Sequence, residues 1–299
     1  MISSGNYYAK QTASSFYRQA CVFFSLLAML TIGWVLPAAA DFAFMEDDFE
    51  SYTSGARLPE VAPWTDVEPG NITYGRQLTV RSSNNVYPGD GSRTVPVSPY
   101  ASGSQMLEFW DNGTTRAIHA KSTFSAPSGV HYPITVSLDY RIDEEWDTFA
   151  GGWRAVIEDS DGGSANGYYI NLISGSDPDN LSLSYIDGLT QTHTLLTLDR
   201  GVWYHLDIIL EQPDGTKSQP GGQIAVSRWD DGDANPTFVG TFDITSRAGF
   251  NEIDTLAFTW GSPAALGLWY LDNVHVVPEP ASLFLLAVGG MLLLQRRKR

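Results

Sequence analysis

The feature that most constrains this chain is a two-residue alternation of apolar and polar side chains that recurs through its middle. It is clearest in residues 134–141, Ile-Thr-Val-Ser-Leu-Asp-Tyr-Arg, and it returns in residues 181–185 and 204–208. Successive side chains of a strand point to opposite faces, so this pattern indicates strands with one buried face. Nine more segments read as candidate strands: 78–81, 105–110, 115–124, 153–158, 168–173, 223–229, 238–244, 253–260 and 266–276.

Turn-forming clusters separate these strands, and the body carries no convincing 3.6-residue apolar stripe. The turns include Ser160-Asp161-Gly162-Gly163 and Pro213-Asp214-Gly215, and Gly, Pro, Asp and Asn favour turns for distinct steric reasons. About a dozen short strands at this spacing predict an all-β, antiparallel β-sandwich of the jelly-roll type over residues 41–276, in one domain. Residues 82–103, rich in Asn, Pro and Gly, are expected to form the longest loop.

The charge of this segment excludes one broad class of function. Residues 41–276 hold 12 Lys and Arg against 33 Asp and Glu, and a body this acidic repels phosphate backbones, so nucleic acid is not expected as a partner. The only cysteine, Cys21, lies before this segment. The body therefore has no disulfide, thiolate metal site or cysteine nucleophile.

The N-terminus has the layout of a secretory signal peptide. A basic-leaning lead ends at Arg18, an apolar run covers residues 20–36, and small residues follow before Asp41. Ala38 and Ala40 fit the small-x-small rule, which predicts a signal peptide over residues 1–40 with cleavage after Ala40. The alternative is an uncleaved anchor, because the apolar run is about long enough to span a bilayer.

The C-terminus, residues 277–299, has the features of a second targeting segment. Val277, Pro278, Glu279 and Pro280 lead into 14 uncharged residues, 281–294, and a basic cluster occupies 296–299. A helix of that length would measure roughly 21 Å against about 30 Å of hydrocarbon, a short transmembrane helix that needs some bilayer thinning. The positive-inside bias places the basic cluster in the cytoplasm and the acidic body outside.

The Pro-Glu-Pro tripeptide, the short apolar helix and the terminal arginines together resemble the PEP-CTERM sorting signal of Gram-negative bacteria. The resemblance covers about the last 23 residues. It implies recognition through Pro278, Glu279 and Pro280 by an exosortase-like processing enzyme, export, and a link to exopolysaccharide or biofilm. The protein would be anchored in the inner membrane with a periplasmic body, then reach the cell surface or be secreted. The alternative is an ordinary C-terminal anchor.

The two ends of the body carry a weaker resemblance. The opening Asp47-Asp48-Phe49-Glu50-Ser51-Tyr52 and the closing residues 269–276, Trp-Tyr-Leu-Asp-Asn-Val-His-Val, are similar to the terminal strands of concanavalin A-like and laminin-G-like jelly rolls. The resemblance implies that the terminal strands lie side by side, and it carries no catalytic motif.

If the terminal strands pair, several hard oxygen ligands could converge there. Asp47, Asp48 and Glu50 at one end and Asp272 and Asn273 at the other are the residue types that bind Ca²⁺. This predicts a possible structural calcium site. The equal alternative is a set of solvated carboxylates on an acidic surface.

No complete catalytic constellation is found in the sequence. Glu145 and Asp147 are similar to the strand-borne acids of a glycoside hydrolase family on this fold, but Ala150 stands where the third acid belongs. The histidines are scattered without zinc-ligand spacing, and no nucleophile elbow or P-loop is present. We therefore assign no catalytic residue.

Tryptophan supplies the remaining candidates. Trp146, Trp153 and Trp229 lie near acidic loops, where an exposed indole can stack on a sugar face; packing in the core is the alternative for each. The sequence thus favours an exported, non-enzymatic surface or matrix protein whose sandwich binds glycan or supports the extracellular matrix. The alternative is a carbohydrate-active hydrolase or lyase on the same fold, which would need two facing acid or base groups across a cleft.

Overall fold

The computed structural model describes residues 45–58, 63–68, 76–83, 86–87, 90–98, 105–112, 119–124, 133–144, 152–159, 166–175, 177, 179–211, 220–230, 233, 235–247, 253–260 and 266–278. These residues belong to one compact unit, Ala43–Glu279. They form strands and turns without a helix, which confirms the all-β prediction. Within this part of the chain there is accordingly no helical segment long and apolar enough to span a membrane. The predicted signal peptide 1–40 and helix 281–294 lie outside the described residues.

Eight antiparallel strands form the first layer, sheet I. Seven follow the order β15-β14-β13-β8-β17-β6-β3, and β1 pairs with the second half of β17. Their bounds are β1 Met45–Asp47, β3 Arg76–Ser82, β6 Gln105–Asn112, β8 Ile134–Ile142, β13 Trp203–Leu210, β14 Gly221–Trp229, β15 Thr237–Thr245 and β17 Leu266–Pro278.

Seven antiparallel strands form the second layer, sheet II, in the order β12-β11-β10-β9-β16-β7-β2. Their bounds are β2 Asp66–Glu68, β7 His119–Thr123, β9 Trp153–Glu158, β10 Gly167–Ser174, β11 Leu181–Ile186, β12 Thr192–Leu198 and β16 Thr255–Trp260. Strands β9 and β16 are central and face the core with every second residue, as the alternation predicts.

A short hairpin, β4 Val86–Tyr87 with β5 Asp90–Thr94, lies in the segment that the sequence assigns to a long loop. The sequence also misses β12, an edge strand that pairs only with β11. Thr192, Thr194 and Thr197 of that strand are exposed. Threonine on both sides of the strand blurs the two-residue alternation, so tertiary pairing rather than pattern specifies this edge.

The core lies between the inner faces of the two sheets and is anchored by aromatic rings from both. Phe109 and Trp269 of sheet I stack with centroids 4.2 Å apart, and Trp153 of sheet II packs edge-on against Phe109 at 5.4 Å. Such offset and edge-to-face pairs are favoured by ring quadrupoles beyond their burial of apolar area. They therefore hold the two layers in a fixed relation.

The terminal strands do lie side by side: Met45, Glu46 and Asp47 pair with Val276, His275 and Val274. This confirms the arrangement that the concanavalin A-like resemblance implies. A β-bulge between Asp272 and His275 interrupts β17, with Asn273 at a φ of 51°. Asparagine tolerates this left-handed conformation better than most residues. The bulge lets both Asp272 and His275 stand on the solvent side of sheet I.

Candidate ligand-binding face

The outer face of sheet I, directed away from the core, buries charged side chains. Glu108 and Asp139 have no exposed surface, and Asp272 is 2% exposed. Asp and Glu are almost never fully buried unless they are paired. The strand alternation places these groups outside the core, so their burial comes from neighbours on the same face.

One of these charges belongs to a buried ion pair. Arg81 on β3 donates from Nε and Nη2 to Oε1 of Glu108 on β6, at 3.1 and 3.0 Å. The two residues are 27 positions apart in sequence, and strand pairing alone brings them together. An ion pair of this kind is expensive to break because the remaining charge is left without compensation.

A second cluster centres on His205 of β13. Its Nδ1 lies 2.8 Å from Oδ1 of Asp139 on β8, and its Nε2 lies 3.3 Å from Oδ1 of Asp207. Burial alone would lower the pKa of His205, but the two carboxylates outweigh it and raise the pKa to about 10. The imidazole is therefore protonated at neutral pH and donates hydrogen bonds from both nitrogens.

Asp272, on β17, has the opposite character. Burial raises its pKa to about 8, with a further contribution from the carboxylates of Asp139 and Glu50. Ser98 Oγ lies 2.9 Å from Oδ2 of Asp272, and the backbone N–H of Asn273 donates to Oδ1 at 2.8 Å. Near neutral pH this carboxyl holds a proton, so it adds no negative charge beside Asp139.

The segment 95–98 crosses this face and covers its middle. Trp203 donates its indole N–H to the backbone carbonyl of Val97 at 2.8 Å, and Ser98 contacts Asp272. Val95 of this segment packs in an outer cluster with apolar and aromatic side chains of sheet I, Met106, Trp203, Leu268 and Tyr270. The central part of the face is thus covered, and its polar groups are buried beside this apolar cluster.

The edge of the same face, towards β14 and β15, stays accessible. Trp229 is half-buried and lies edge-on to the His205 ring with centroids 5.9 Å apart. Phe238 is 64% exposed and pairs with Ser227, which itself pairs with His205, so all three lie on this side of the sheet. The side chain of Asp207 is 43% exposed. We call Trp229, Phe238, His205 and Asp207 the edge patch.

The structure distributes the three predicted tryptophans differently. Trp229 belongs to the edge patch, whereas Trp153 is fully buried between Phe109 and Trp269 in the core, where its ring is not accessible to a sugar. Trp153 begins β9 and faces inward by the alternation of that strand. Trp146, like Glu145 and Asp147, lies outside the described residues.

The predicted calcium ligands fall on opposite sides of sheet I. Asp47 faces the core, where its oxygens accept from the Phe49 N–H at 2.8 Å and from the Trp64 indole at 2.6 Å. Asp272 and Asn273 face outward, and Asp48 is exposed. Within the described ranges, no group of three or more His, Cys, Asp or Glu is arranged to hold a metal ion.

Of the predicted ligands near the start of the body, Glu50 is the one whose charge raises the pKa of Asp272. Its Oε1 accepts from the backbone N–H of Gln105 at 2.9 Å, and its backbone carbonyl accepts from the Gln105 amide. Glu50 thereby ties the segment after β1 to the start of β6.

Sequence reasoning missed Phe238 and the group formed by His205, Asp139 and Asp207. Their signal was present: each is the polar or outward member of an alternating strand, and His205 and Asp207 are two residues apart. What the sequence lacked was the register that sets His205 opposite Asp139. Residues on one strand face are visible in a pattern, but their neighbours across the sheet are not.

Solved structures that resemble the chain do so at low identity. A marine PL-14 alginate lyase from Aplysia kurodai is 16% identical with a TM-score of 0.41, covering 62% of this chain and 87% of that one. A carbohydrate esterase from Shiga toxin-encoding bacteriophage phi24B is 13% identical with a TM-score of 0.46, covering 80% and 99%. A GH131 β-glucanase catalytic domain from Podospora anserina is 10% identical with a TM-score of 0.45, covering 80% and 96%. Likeness of this degree does not transfer an activity.

No curated protein matches the sequence. The PEP-CTERM protein-sorting motif, in contrast, matches residues 276–299. Pro278 is the last residue of β17, while Glu279 and Pro280, like the cleavage residues Ala38, Ala40 and Asp41, lie outside the described residues. The motif starts where the central strand of sheet I ends, and it implies processing by an exosortase-type enzyme. The chain is thus an exported β-sandwich protein that carries a PEP-CTERM sorting motif at residues 276–299.

Proposed function

We propose that this protein is a non-enzymatic glycan-binding component of the cell surface or extracellular matrix, and that the edge patch is its binding surface. The observation that carries this proposal is the combination found there. Accessible aromatic rings, Trp229 and Phe238, lie beside hydrogen-bonding groups fixed in charge and position, His205 and Asp207.

This combination suits a sugar. A pyranose ring offers an apolar face of C–H groups that stacks on an indole, and hydroxyls around its rim that need both donors and acceptors. The imidazolium of His205 donates both of its N–H groups to Asp139 and Asp207, so its role is to hold the Asp207 carboxylate, which supplies acceptors for the hydroxyls. Ser137 Oγ donates to Oδ1 of Asp207 at 2.6 Å, which fixes the carboxylate and reduces the ordering cost on binding.

His205, Glu108 and Asp143 of this face are better suited to a structural or binding role than to acid–base catalysis. A general base must be unprotonated near the working pH, whereas the pKa of His205 is raised to about 10. Glu108 is held in its ion pair with Arg81, and the Tyr270 hydroxyl donates to Asp143 at 3.0 Å. Each of these groups is already committed to a neighbour on the same face.

The sorting motif sets where binding would take place. With residues 281–294 in the inner membrane and the basic cluster 296–299 in the cytoplasm, the sandwich would stand in the periplasm. Processing at the Pro278–Pro280 tripeptide would then release or transfer it to the cell surface. There, exopolysaccharide or biofilm matrix is the glycan within reach.

Affinity electrophoresis of residues 41–279 through gels containing neutral and acidic polysaccharides would test the binding surface. We expect retardation by at least one polysaccharide, at least tenfold weaker binding by Trp229→Ala, and unchanged binding by Leu189→Ala. Leu189 is a matched control because it is 74% exposed in the turn between β11 and β12. Equal retardation of both variants would show that the binding site lies outside the edge patch. Turnover of the polysaccharide without retardation would favour the hydrolase or lyase alternative.

Sorting has its own test. Glu279→Ala in the full chain is expected to keep residues 281–294 attached and to hold the protein in the membrane fraction, whereas wild-type protein loses this tail. Intact-mass measurement of both forms distinguishes the outcomes. An unchanged tail in the wild type would show that the motif acts only as an anchor.

A further inference from the structure

The outer face of sheet II carries two arginines beside one tyrosine ring. Arg154 on β9 has its Cζ 5.5 Å from the ring centroid of Tyr169 on β10, and Arg247, two residues after β15, has its Cζ at 4.9 Å. Arg154 pairs with Asn171 across the sheet, so Tyr169 is its diagonal neighbour on the same face. We call Arg154, Tyr169 and Arg247 the arginine cluster.

Both arginines are held in place by polar contacts. Arg154 donates from Nε to Oδ1 of Asn171 at 3.1 Å, and Asn171 donates from Nδ2 to Oγ of Ser184 at 3.0 Å. The backbone N–H of Arg247 donates to the carbonyl of Gly167 at 2.7 Å. Among the described residues, this contact engages only Nε, so both terminal nitrogens of Arg154 can donate to another acceptor.

Neither arginine forms an ion pair with a carboxylate anywhere in the described ranges. By contrast, Arg81, Arg141, Arg200 and Arg228 each have one, with Glu108, Glu144, Asp179 and Asp199 respectively. The body has 33 acidic and 12 basic residues, so carboxylates are in excess. Two neighbouring arginines that pair with none of the described carboxylates are therefore unexpected.

Their environment makes this arrangement unfavourable. Arg154 and Arg247 are only partly exposed, and burial lowers the pKa of Arg154, with a further lowering by the charge of Arg247. Glu158, which shares a hydrogen bond with the Tyr169 hydroxyl, has its pKa raised by burial, an effect that the charge of Lys121 partly offsets; it is one carboxylate beside two arginines. The cluster therefore keeps an excess of positive charge that a bound anion would neutralise.

The geometry points to a carboxylate as that anion. A guanidinium presents parallel N–H groups that match the two oxygens of a carboxylate, and the surrounding acidic body disfavours densely charged polymers such as nucleic acid. We propose that the arginine cluster binds the carboxylate of a sugar acid, at a site on sheet II separate from the edge patch on sheet I.

Calorimetric titration with trigalacturonate tests this site, because its methyl ester is a matched neutral probe. We expect wild-type protein to bind trigalacturonate, and Arg154→Gln and Arg247→Gln each to weaken binding at least tenfold. Arg57→Gln, which removes an equal charge from an exposed arginine outside the cluster, is expected to bind as wild type does. The methyl ester is expected not to bind at the cluster. Titration with galacturonate monomer distinguishes a free sugar acid from a polysaccharide as the source of the carboxylate. Equal affinity for monomer and trimer identifies a free sugar acid, and tighter binding of the trimer identifies a polysaccharide.

Two further measurements keep this test independent of the edge patch. Trp229→Ala is expected to leave trigalacturonate binding unchanged, so the two sites can fail separately. Without ligand, the thermal midpoint of Arg154→Gln is expected not to fall, because the substitution removes the repulsion between Arg154 and Arg247. Absence of binding by wild type, equal affinity for the methyl ester, or a lower midpoint with unchanged binding would each overturn the proposal.

Discussion

The two outer faces of the sandwich use the same residue types in opposite ways. On sheet I, Arg81 is buried against Glu108, and His205 is held between Asp139 and Asp207. On the outer face of sheet II, Arg154 and Arg247 both contact the Tyr169 ring, and neither has a carboxylate partner among the described residues. A face whose charges are satisfied internally stabilises the fold, whereas a face that leaves like charges together stores a free energy that a ligand can release.

The same substitution on the two faces should therefore have different costs. Arg81→Gln removes one partner of a buried pair and leaves Glu108 inside without it, which costs about 3–5 kcal/mol. For a domain of this size we expect the thermal midpoint to fall by roughly 6–20 °C, measured by calorimetry. A fall of less than a few degrees would mean that Glu108 finds another donor and that the two faces do not differ as described.

The pH dependence of stability should report the His205 cluster. Its folded pKa, about 10, lies above the ordinary value of 6.5, so the stabilisation is complete below pH 6.5 and is lost as the pH rises towards 10. We expect the free energy of unfolding to fall by roughly 2 kcal/mol over that range, the size of a charged hydrogen bond. His205→Gln should remove most of this slope. An unchanged slope in that variant would assign it to other groups.

Asp272 should show an effect of the same sign. Its folded pKa, about 8, lies above the ordinary value of 3.8, so ionisation of this buried carboxyl progressively disfavours the folded state between these values. Asp272→Asn keeps the shape of the neutral acid, and the Ser98 hydroxyl can turn to accept from it. We expect a gain of about 1 kcal/mol above pH 8 and little change at pH 4, measured by urea unfolding. A loss at both pH values would show that the carboxylate is the favoured form.

The smallest effect on stability is expected on sheet II. Arg154→Gln should change the free energy of unfolding by less than about 0.5 kcal/mol, or raise it slightly, because it removes one of two neighbouring positive charges. Urea unfolding in parallel with Arg81→Gln gives the contrast directly. Comparable losses in the two variants would remove the distinction between the faces.

Much of the fold could be predicted from the alternation, and the site could be predicted only in part. The strands over residues 134–141 and 153–158 were visible because one face of each packs entirely in the core. Trp229, predicted from residue type and position, lies at the accessible edge of sheet I, and its role in binding stays a prediction. The hairpin β4–β5 and the edge strand β12 were missed, since such strands owe their structure to a neighbour rather than to their own pattern. The strand of Phe238 was predicted, but its position beside Ser227 and His205 depends on register.

The sequence alone determined the class of fold and the sorting signal. A two-residue alternation can bury one face only in a sheet, and the tripeptide with its apolar and basic tail is contiguous, so both are legible without knowledge of contacts. The tertiary structure decided which outward charges meet. Arg81 and Glu108 are 27 positions apart, and His205 and Asp139 are 66 apart. Strand order and register bring such residues together, and a one-residue shift in register would have placed other side chains opposite them.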